Sequence, residues 1–232
     1  MGMESRRYGS RISWGGPLTP AVKALLIANT VVFLVQSLVP EDVYRLMIAE
    51  LGLVPRGVTH AFRLWQPFTY LFLHGSFVHL FFNMLALWMF AGDLERVWGR
   101  RRFLNFYFIT GVGAGVINII VKTLMDLRVD FSTLPANAIT PSMVSTIGAS
   151  GAIYGVLMAM AVLFPDRRVY LLLPPVELPM RVFVFIMAAI SFFGTLGATG
   201  DKVSHITHLG GMAVSYFYLR RGSFFFGMRN RM

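Results

Sequence analysis

Cysteine is absent from the 232-residue chain, and acidic residues are few, 11 against 21 Lys and Arg. The missing cysteine excludes disulfides, thiolate zinc sites and a cysteine nucleophile. Charge of either sign is scarce as well: Asp, Glu, Lys and Arg make up 14% of the chain, where a soluble domain carries about 25%. That is too little polar surface to cover a globule in water. With 56% hydrophobic residues and a mean hydropathy of +0.62, the composition implies one domain buried in a membrane. Tandem repeats and low-complexity tracts are also lacking.

What is present is a series of long apolar runs. Spanning a bilayer takes roughly 17–25 mostly apolar residues. Six stretches qualify: Pro20–Val39, Ser76–Gly92, Phe103–Leu124, Ile147–Phe164, Arg181–Thr199 and Ser204–Leu219. The expected fold is therefore an all-α polytopic membrane protein with a six-transmembrane-helix bundle over residues 20–220. A cytoplasmic tail is expected at 1–19 and another at 221–232. No small-residue cleavage site follows Arg6, Arg7 and Arg11, so the first run is expected to stay as a span. Ala61–Gly75 contains Arg63, Pro67, His74 and Gly75 among aromatics, and reads as an amphipathic, partly submerged loop rather than a span.

The excess positive charge follows from this layout. With both termini inside, most Lys and Arg fall on inner segments, leaving Arg45, Arg56, Arg63, Lys122, Arg128 and Lys202 outside. The pI of about 10.5 then requires no nucleic acid, and no basic helix with interleaved aromatics stands clear of the membrane.

Polar groups inside spans are costly and point to function. Spans two, four and six run from outside to inside and carry His79 with Asn83, Ser150, and His205 with His208. By helical rise, His79, Ser150 and His208 each lie about 5–6 Å below the outer end of their span, in one layer. Ser150 opens a span within Gly148-Ala149-Ser150-Gly151, where the helix dipole favours developing negative charge. Gly151 and Gly155 form a small face that can press against Gly211 and Ser215 of span six, bringing Ser150 to His208. Serine needs a neighbour to take its proton, and histidine does so near neutral pH. No acid lies in the outer halves of these spans, so a Ser–His dyad is the economical reading. Tyr154, one turn after Ser150, can stack on or orient the imidazole. His79 and Asn83, four apart, can aim donors at one oxygen together with the Ser150 N–H, as an oxyanion hole requires.

Each feature has a plain structural alternative: a helix-packing glycine motif, a buried histidine, an aromatic contact. The G-x-S-G pattern alone is weak, with about 0.1 matches expected by chance. His74-x4-His79-x3-Asn83 is far more specific, at about 0.002.

Taken together these residues resemble the rhomboid family of intramembrane serine proteases. The likeness rests on His74, His79 and Asn83 at span two, Gly148-Ala149-Ser150-Gly151 with Tyr154 at span four, and His208-Leu209-Gly210-Gly211 at span six. It extends over roughly residues 20–220. It implies Ser150 as nucleophile, His208 as base, and His79, Asn83 and the Ser150 N–H as oxyanion donors. Tyr154, Gly148 and Gly151 are implied as support, and His74 as structural. It implies no cofactor and no metal. The partners implied are membrane-protein substrates with a helix-destabilised span and the lipid bilayer itself. Trp65 falls where the family often has a Trp-Arg pair, with Gln66 in place of the arginine. Gly194, Gly197 and Gly200 mark span five as a candidate gate, with Thr199–Ser204 as cap. The expected location is a prokaryotic inner membrane. Three rivals remain: a rhomboid-like protein that binds membrane clients without cutting them, a metal enzyme built on His74, His79, His205 and His208, and a transporter.

Overall fold

The computed structural model describes residues 16–129, 135, 138–172, 175–196 and 205–225. Helix α1 (Pro20–Leu38) begins with proline at its first position, where the missing N–H costs nothing. Its other free N–H groups are capped from a distance. The buried Glu95 carboxylate accepts from Ala21 N (2.8 Å), Val22 N (3.0 Å) and the Thr19 hydroxyl. Two short helices follow, α2 (Glu41–Leu51) and α3 (Pro55–Ala61). Next come α4 (Gln66–Thr69) and a single 3₁₀ turn at Tyr70–Phe72. Helix α5 (Phe77–Trp98) is capped by Ser76, whose Oγ accepts from His79 N. Gly99, at φ +78°, then turns the chain directly into α6 (Arg100–Asp126). Helix α7 (Ser150–Leu163) is joined to α8 (Met180–Thr195) by a hairpin of β1 (Arg168–Leu172) and β2 (Pro175–Pro179), with Tyr170 opposite Glu177. The last helix is α9 (His205–Phe225).

Each of the six expected spans overlaps one of the longer helices α1, α5, α6, α7, α8 and α9, with α5 running on to Trp98 past the expected Gly92, and Ala61–Gly75 holds only the short α4 and a 3₁₀ turn beside the last residue of α3. By length and composition α1, α5 and α6 can cross a membrane, while α7 and α8 are shorter apolar helices. Three expectations need correction. The chain is not purely helical, because the β1–β2 hairpin fills the turn between α7 and α8. The fourth helix starts at Ser150, not Ile147, because Gly148 takes φ +122° and breaks the run. Ser150 therefore stands in the first turn, and the preceding loop, not one turn of helix, sets its depth. The sixth helix runs to Phe225, beyond Leu219. Gly197, Gly200 and the Thr199–Ser204 cap lie outside the described residues, as do 1–15 and 226–232 of the tails.

Helix α7 lies at the centre, buried from Gly151 to Leu157. Its small face allows two neighbours to close in. A Cβ on Gly211 of α9 would stand 1.9 Å from the Gly151 carbonyl oxygen, so the two backbones touch there. One turn further along, Ser215 Oγ donates to the Gly155 carbonyl at 2.8 Å. On the α6 side Gly155 rests against Thr110. The small faces expected on spans four and six are the ones that meet.

The loop between α1 and α5 is held by hydrogen bonds. Gln66 is fully buried: its Oε1 accepts from Val54 N (3.0 Å), and its Nε2 donates to Ala49 O (2.9 Å). Trp65 Nε1 donates to Glu50 O (2.7 Å), and Arg63 pairs with the Glu50 carboxylate (2.6 Å). Glutamine supplies both an acceptor and a donor here, so Gln66 anchors the loop at the position next to Trp65, and Arg63 adds its own bond to Ala49 O (3.1 Å).

Candidate active site

The loop before α7 is fixed on both sides. Leu53 and Thr146 exchange backbone hydrogen bonds of 2.9 Å each, and Gly148 N donates to Tyr70 O at 2.9 Å. Buried Lys122 of α6 reaches across to Val144 O (3.0 Å) and Thr146 Oγ1 (2.9 Å). The chain thus arrives at Ser150 along a defined path. Ser150 opens the helix, so its N–H is one of the donors without an intrahelical partner, at the positive end of α7.

His208 sits in the first turn and a half of α9, buried at 7% exposure. Its Nε2 is 2.9 Å from Ser150 Oγ, a hydrogen bond. Tyr154 lies flat on the imidazole, with ring centroids 4.0 Å apart and planes inclined by 7°. The two rings are stacked face to face. On the far edge, Nδ1 is 3.5 Å from the hydroxyl of Ser191, a fully buried residue of α8. Asn118 Nδ2 of α6 donates to Thr207 Oγ1 (2.9 Å), pinning α9 beside the histidine.

The expected oxyanion donors are arranged less uniformly. A Cβ on Gly148 would lie 2.8 Å from His79 Nε2 and 3.9 Å from Ser150 N. Those two groups therefore flank a space that only glycine leaves open, and glycine also relieves the cost of φ +122°. Asn83 is buried one turn deeper. Its Nδ2 donates to the His79 carbonyl at 2.9 Å, which leaves one N–H of the amide for other use. Gly151 has a packing role: a Cβ there would meet Ala114, Thr207 and Tyr70 within 3.1 Å.

His74 is held through its backbone. Gln36 of α1 brackets its backbone, accepting from His74 N (3.1 Å) and donating to His74 O (3.4 Å). The His74 and His79 rings are 5.0 Å apart. His205 stands edge-on to His208 at 5.9 Å and lies over Gly194 of α8. These four histidines thus form two pairs, and among the described residues no group of three candidate metal donors gathers.

A rhomboid domain matches residues 61–222, well over half of the chain. The chain belongs to the rhomboid family. Among its relatives are Rhomboid protein 1, mitochondrial, of Saccharomyces cerevisiae, 28% identical over 148 residues, and Rhomboid protease GluP of Bacillus subtilis, 28% identical over 154. These alignments take in 63% and 66% of the chain but only 38% and 25% of the relatives. Putative rhomboid protease YdcA of Bacillus subtilis is 35% identical over 91 residues, 39% of the chain and 37% of that protein. This rhomboid is accordingly a multi-pass helical membrane protein of a family with named proteases. Two contacts of its site escape sequence reasoning. Ser191 is a lone serine in an apolar run, and Lys122 looks like an outer-loop charge until the fold turns it inward.

Proposed function

We propose that this rhomboid is an intramembrane serine endopeptidase that cuts membrane proteins within or beside a helix-destabilised span. The observation that carries the reading is the 2.9 Å contact between Ser150 Oγ and His208 Nε2, with Tyr154 stacked on the ring. In this scheme His208 Nε2 takes the Ser150 proton as Oγ attacks the scissile carbonyl carbon. The carbonyl oxygen becomes an oxyanion beside the Ser150 N–H, with His79 and Asn83 as the further donors. His208 then gives its proton to the leaving amine. Water, deprotonated by His208, attacks the acyl-enzyme, releases the new carboxyl end and restores Ser150. No metal or cofactor takes part.

Six spans, with both termini cytoplasmic in a prokaryotic inner membrane, complete the reading. The site then opens shallowly to the outer side, where hydrolytic water is at hand. The partners are single-span substrates and lipid, not nucleic acid.

The test is cleavage of a single-span substrate by purified protein in detergent. Wild type should cut, while Ser150→Ala and His208→Ala should each lose at least about a thousandfold. Chelator should leave the wild-type rate unchanged. Residual cutting by Ser150→Ala would displace the serine mechanism. A well-folded wild type that binds substrates and cuts none would move the assignment to a client-binding rhomboid.

A further inference from the structure

Between Thr140 and Ser150 the chain is irregular apart from a 3₁₀ turn at Pro141–Met143, yet every second residue up to Gly148 is anchored. The Asp126 carboxylate of α6 accepts from the Thr140 hydroxyl (2.9 Å) and from Ser142 N (3.1 Å). One turn back on α6, Lys122 Nζ donates to Val144 O (3.0 Å) and to Thr146 Oγ1 (2.9 Å). Thr146 also exchanges backbone bonds with Leu53, and Gly148 N donates to Tyr70 O at 2.9 Å. Tyr70 is itself tied to α6, its hydroxyl donating to Gly111 O at 2.7 Å. The next residue in that series is Ser150. Two α6 side chains four apart, one donor and one acceptor, thus lay the chain down toward Ser150.

Lys122 is the costly member of the pair. It is buried, at 9% exposure, and its hydrogen-bond partners are both neutral oxygens, a carbonyl and a hydroxyl. Burying an ammonium carries a desolvation penalty that an apolar side chain of the same length avoids. Fold stability alone is served as well or better by such an apolar residue. What the ammonium supplies is direction: two charge-assisted bonds from one atom fix Val144 and Thr146 relative to each other and to α6. They are the last anchors given by α6 before Gly148, whose missing side chain leaves open the space between His79 Nε2 and Ser150 N. A shift of the loop moves one wall of that space.

We propose that Lys122 is a positioning residue for the reaction: its bonds to Val144 and Thr146 set where the Gly148–Ser150 turn, and with it the Ser150 N–H, stands against His79. Lys122 acts through the loop, not on a reacting atom. This inference rests on the protease reading above and assigns the geometry of its oxyanion space to a side chain of α6.

The experiment measures kcat and KM separately for wild type, Lys122→Met, Thr146→Val, the double variant and Asp126→Ala on the single-span substrate. Labelling of Ser150 by a fluorophosphonate and thermal melting are followed alongside. Lys122→Met keeps the length of the side chain and removes its donors. The expected result is a kcat lower by about 10-fold or more with KM unchanged, since small displacements of reacting groups are costly. Labelling should slow in parallel, while melting stays within a few degrees of wild type, because the penalty of the buried charge is removed with the bonds. Thr146→Val leaves the backbone pair with Leu53 intact and takes away one Lys122 acceptor, so its kcat should fall about threefold. That variant keeps the proposal testable if Lys122→Met does not fold. The double variant should cut no worse than Lys122→Met, because both changes break the same link. Asp126→Ala, which frees anchors farther from Ser150, should lose less than Lys122→Met. A wild-type kcat for Lys122→Met or Thr146→Val overturns the positioning role, as do additive losses in the double variant or a larger loss in Asp126→Ala. A kcat that falls only together with the melting temperature assigns Lys122 to stability and overturns it too. The protease reading fails separately, if Ser150→Ala cuts as well as wild type.

Discussion

Helices α7 and α8 are close in length, 14 and 16 residues, and both are strongly apolar, yet the protein treats them in opposite ways. α7 is buried continuously from Gly151 to Leu157 and is touched by α6 and α9 through glycine. α8 buries Met180, Val184 and Ser191 along one stripe and turns Phe185, Ile190, Phe192 and Phe193 outward. A nucleophile, the role proposed for Ser150, needs a fixed seat, because misplacing a reacting group by about 1 Å can cost 100-fold. Backbone-to-backbone contact provides such a seat, since no side chain intervenes that could change rotamer. α8, attached by a narrow stripe, breaks fewer buried contacts than α7 when it is displaced. The two helices meet at His208, which receives Ser150 and Tyr154 from the fixed side and Ser191 from the loosely held side.

The comparison is broken most forcefully at Gly211. Its Cβ would stand 1.9 Å from the Gly151 carbonyl oxygen, and a backbone atom cannot rotate aside. Gly211→Ala must push α9 off α7 and carry His208 away from Ser150. We expect about 1–3 kcal/mol of lost stability by thermal unfolding. Cleavage should fall about 100-fold with the added separation. Retained wild-type activity would mean that the helices are not seated by that contact.

The fixed side also holds a weak point toward acid. His74 lies outside the long helices, 1% exposed, and neither ring nitrogen has a hydrogen-bond partner. Burial first, and the neighbouring His79 second, pull its pKa from 6.5 down to about 4. The unfolded chain therefore binds more protons between those values. The contribution of His74 to stability is complete above pH 6.5 and is lost as pH falls through the folded value near 4. Its full size is on the order of 3 kcal/mol. Thermal stability measured from pH 7 to pH 4 should drop, and His74→Phe should flatten the drop. An equal drop in the variant would assign the acid sensitivity elsewhere.

Much of this contrast is legible in the sequence. Hydropathy located the six long helices because each has to be apolar over most of its length. The pairing of Gly151 and Gly155 with Gly211 and Ser215 was visible because close helix contact demands small residues at a spacing of four. The Ser150–His208 contact follows from that pairing, whereas the depth argument counted Ser150 one turn into a helix that begins at it. What stayed hidden depends on irregular backbone or on rotation about a helix axis. The start of α7 is set by the positive φ of Gly148, which no hydropathy window registers. The role of Gln66 depends on where the loop carries the carbonyl of Ala49 and the N–H of Val54. The β1–β2 hairpin falls in a stretch with Pro174, Pro175 and Pro179, which discourage a strand reading. Ser191 is one serine among apolar neighbours, and only the packing of α8 on α9 turns it toward His208.

The smallest expected effect tests the loosely held side. Phe185 is 73% exposed, next to Val184 at 3%, so adjacent residues of α8 face opposite ways. If the outer face meets lipid, removing the Phe185 ring exchanges protein contact for lipid contact at almost no cost. Phe185→Ala should then change stability by less than about 0.5 kcal/mol. Val184→Ala, which opens space under the helix, should cost about 1 kcal/mol or more. Both are read by thermal unfolding. Equal losses in both would mean that α8 is clamped on two faces, and the contrast with α7 would have to be withdrawn.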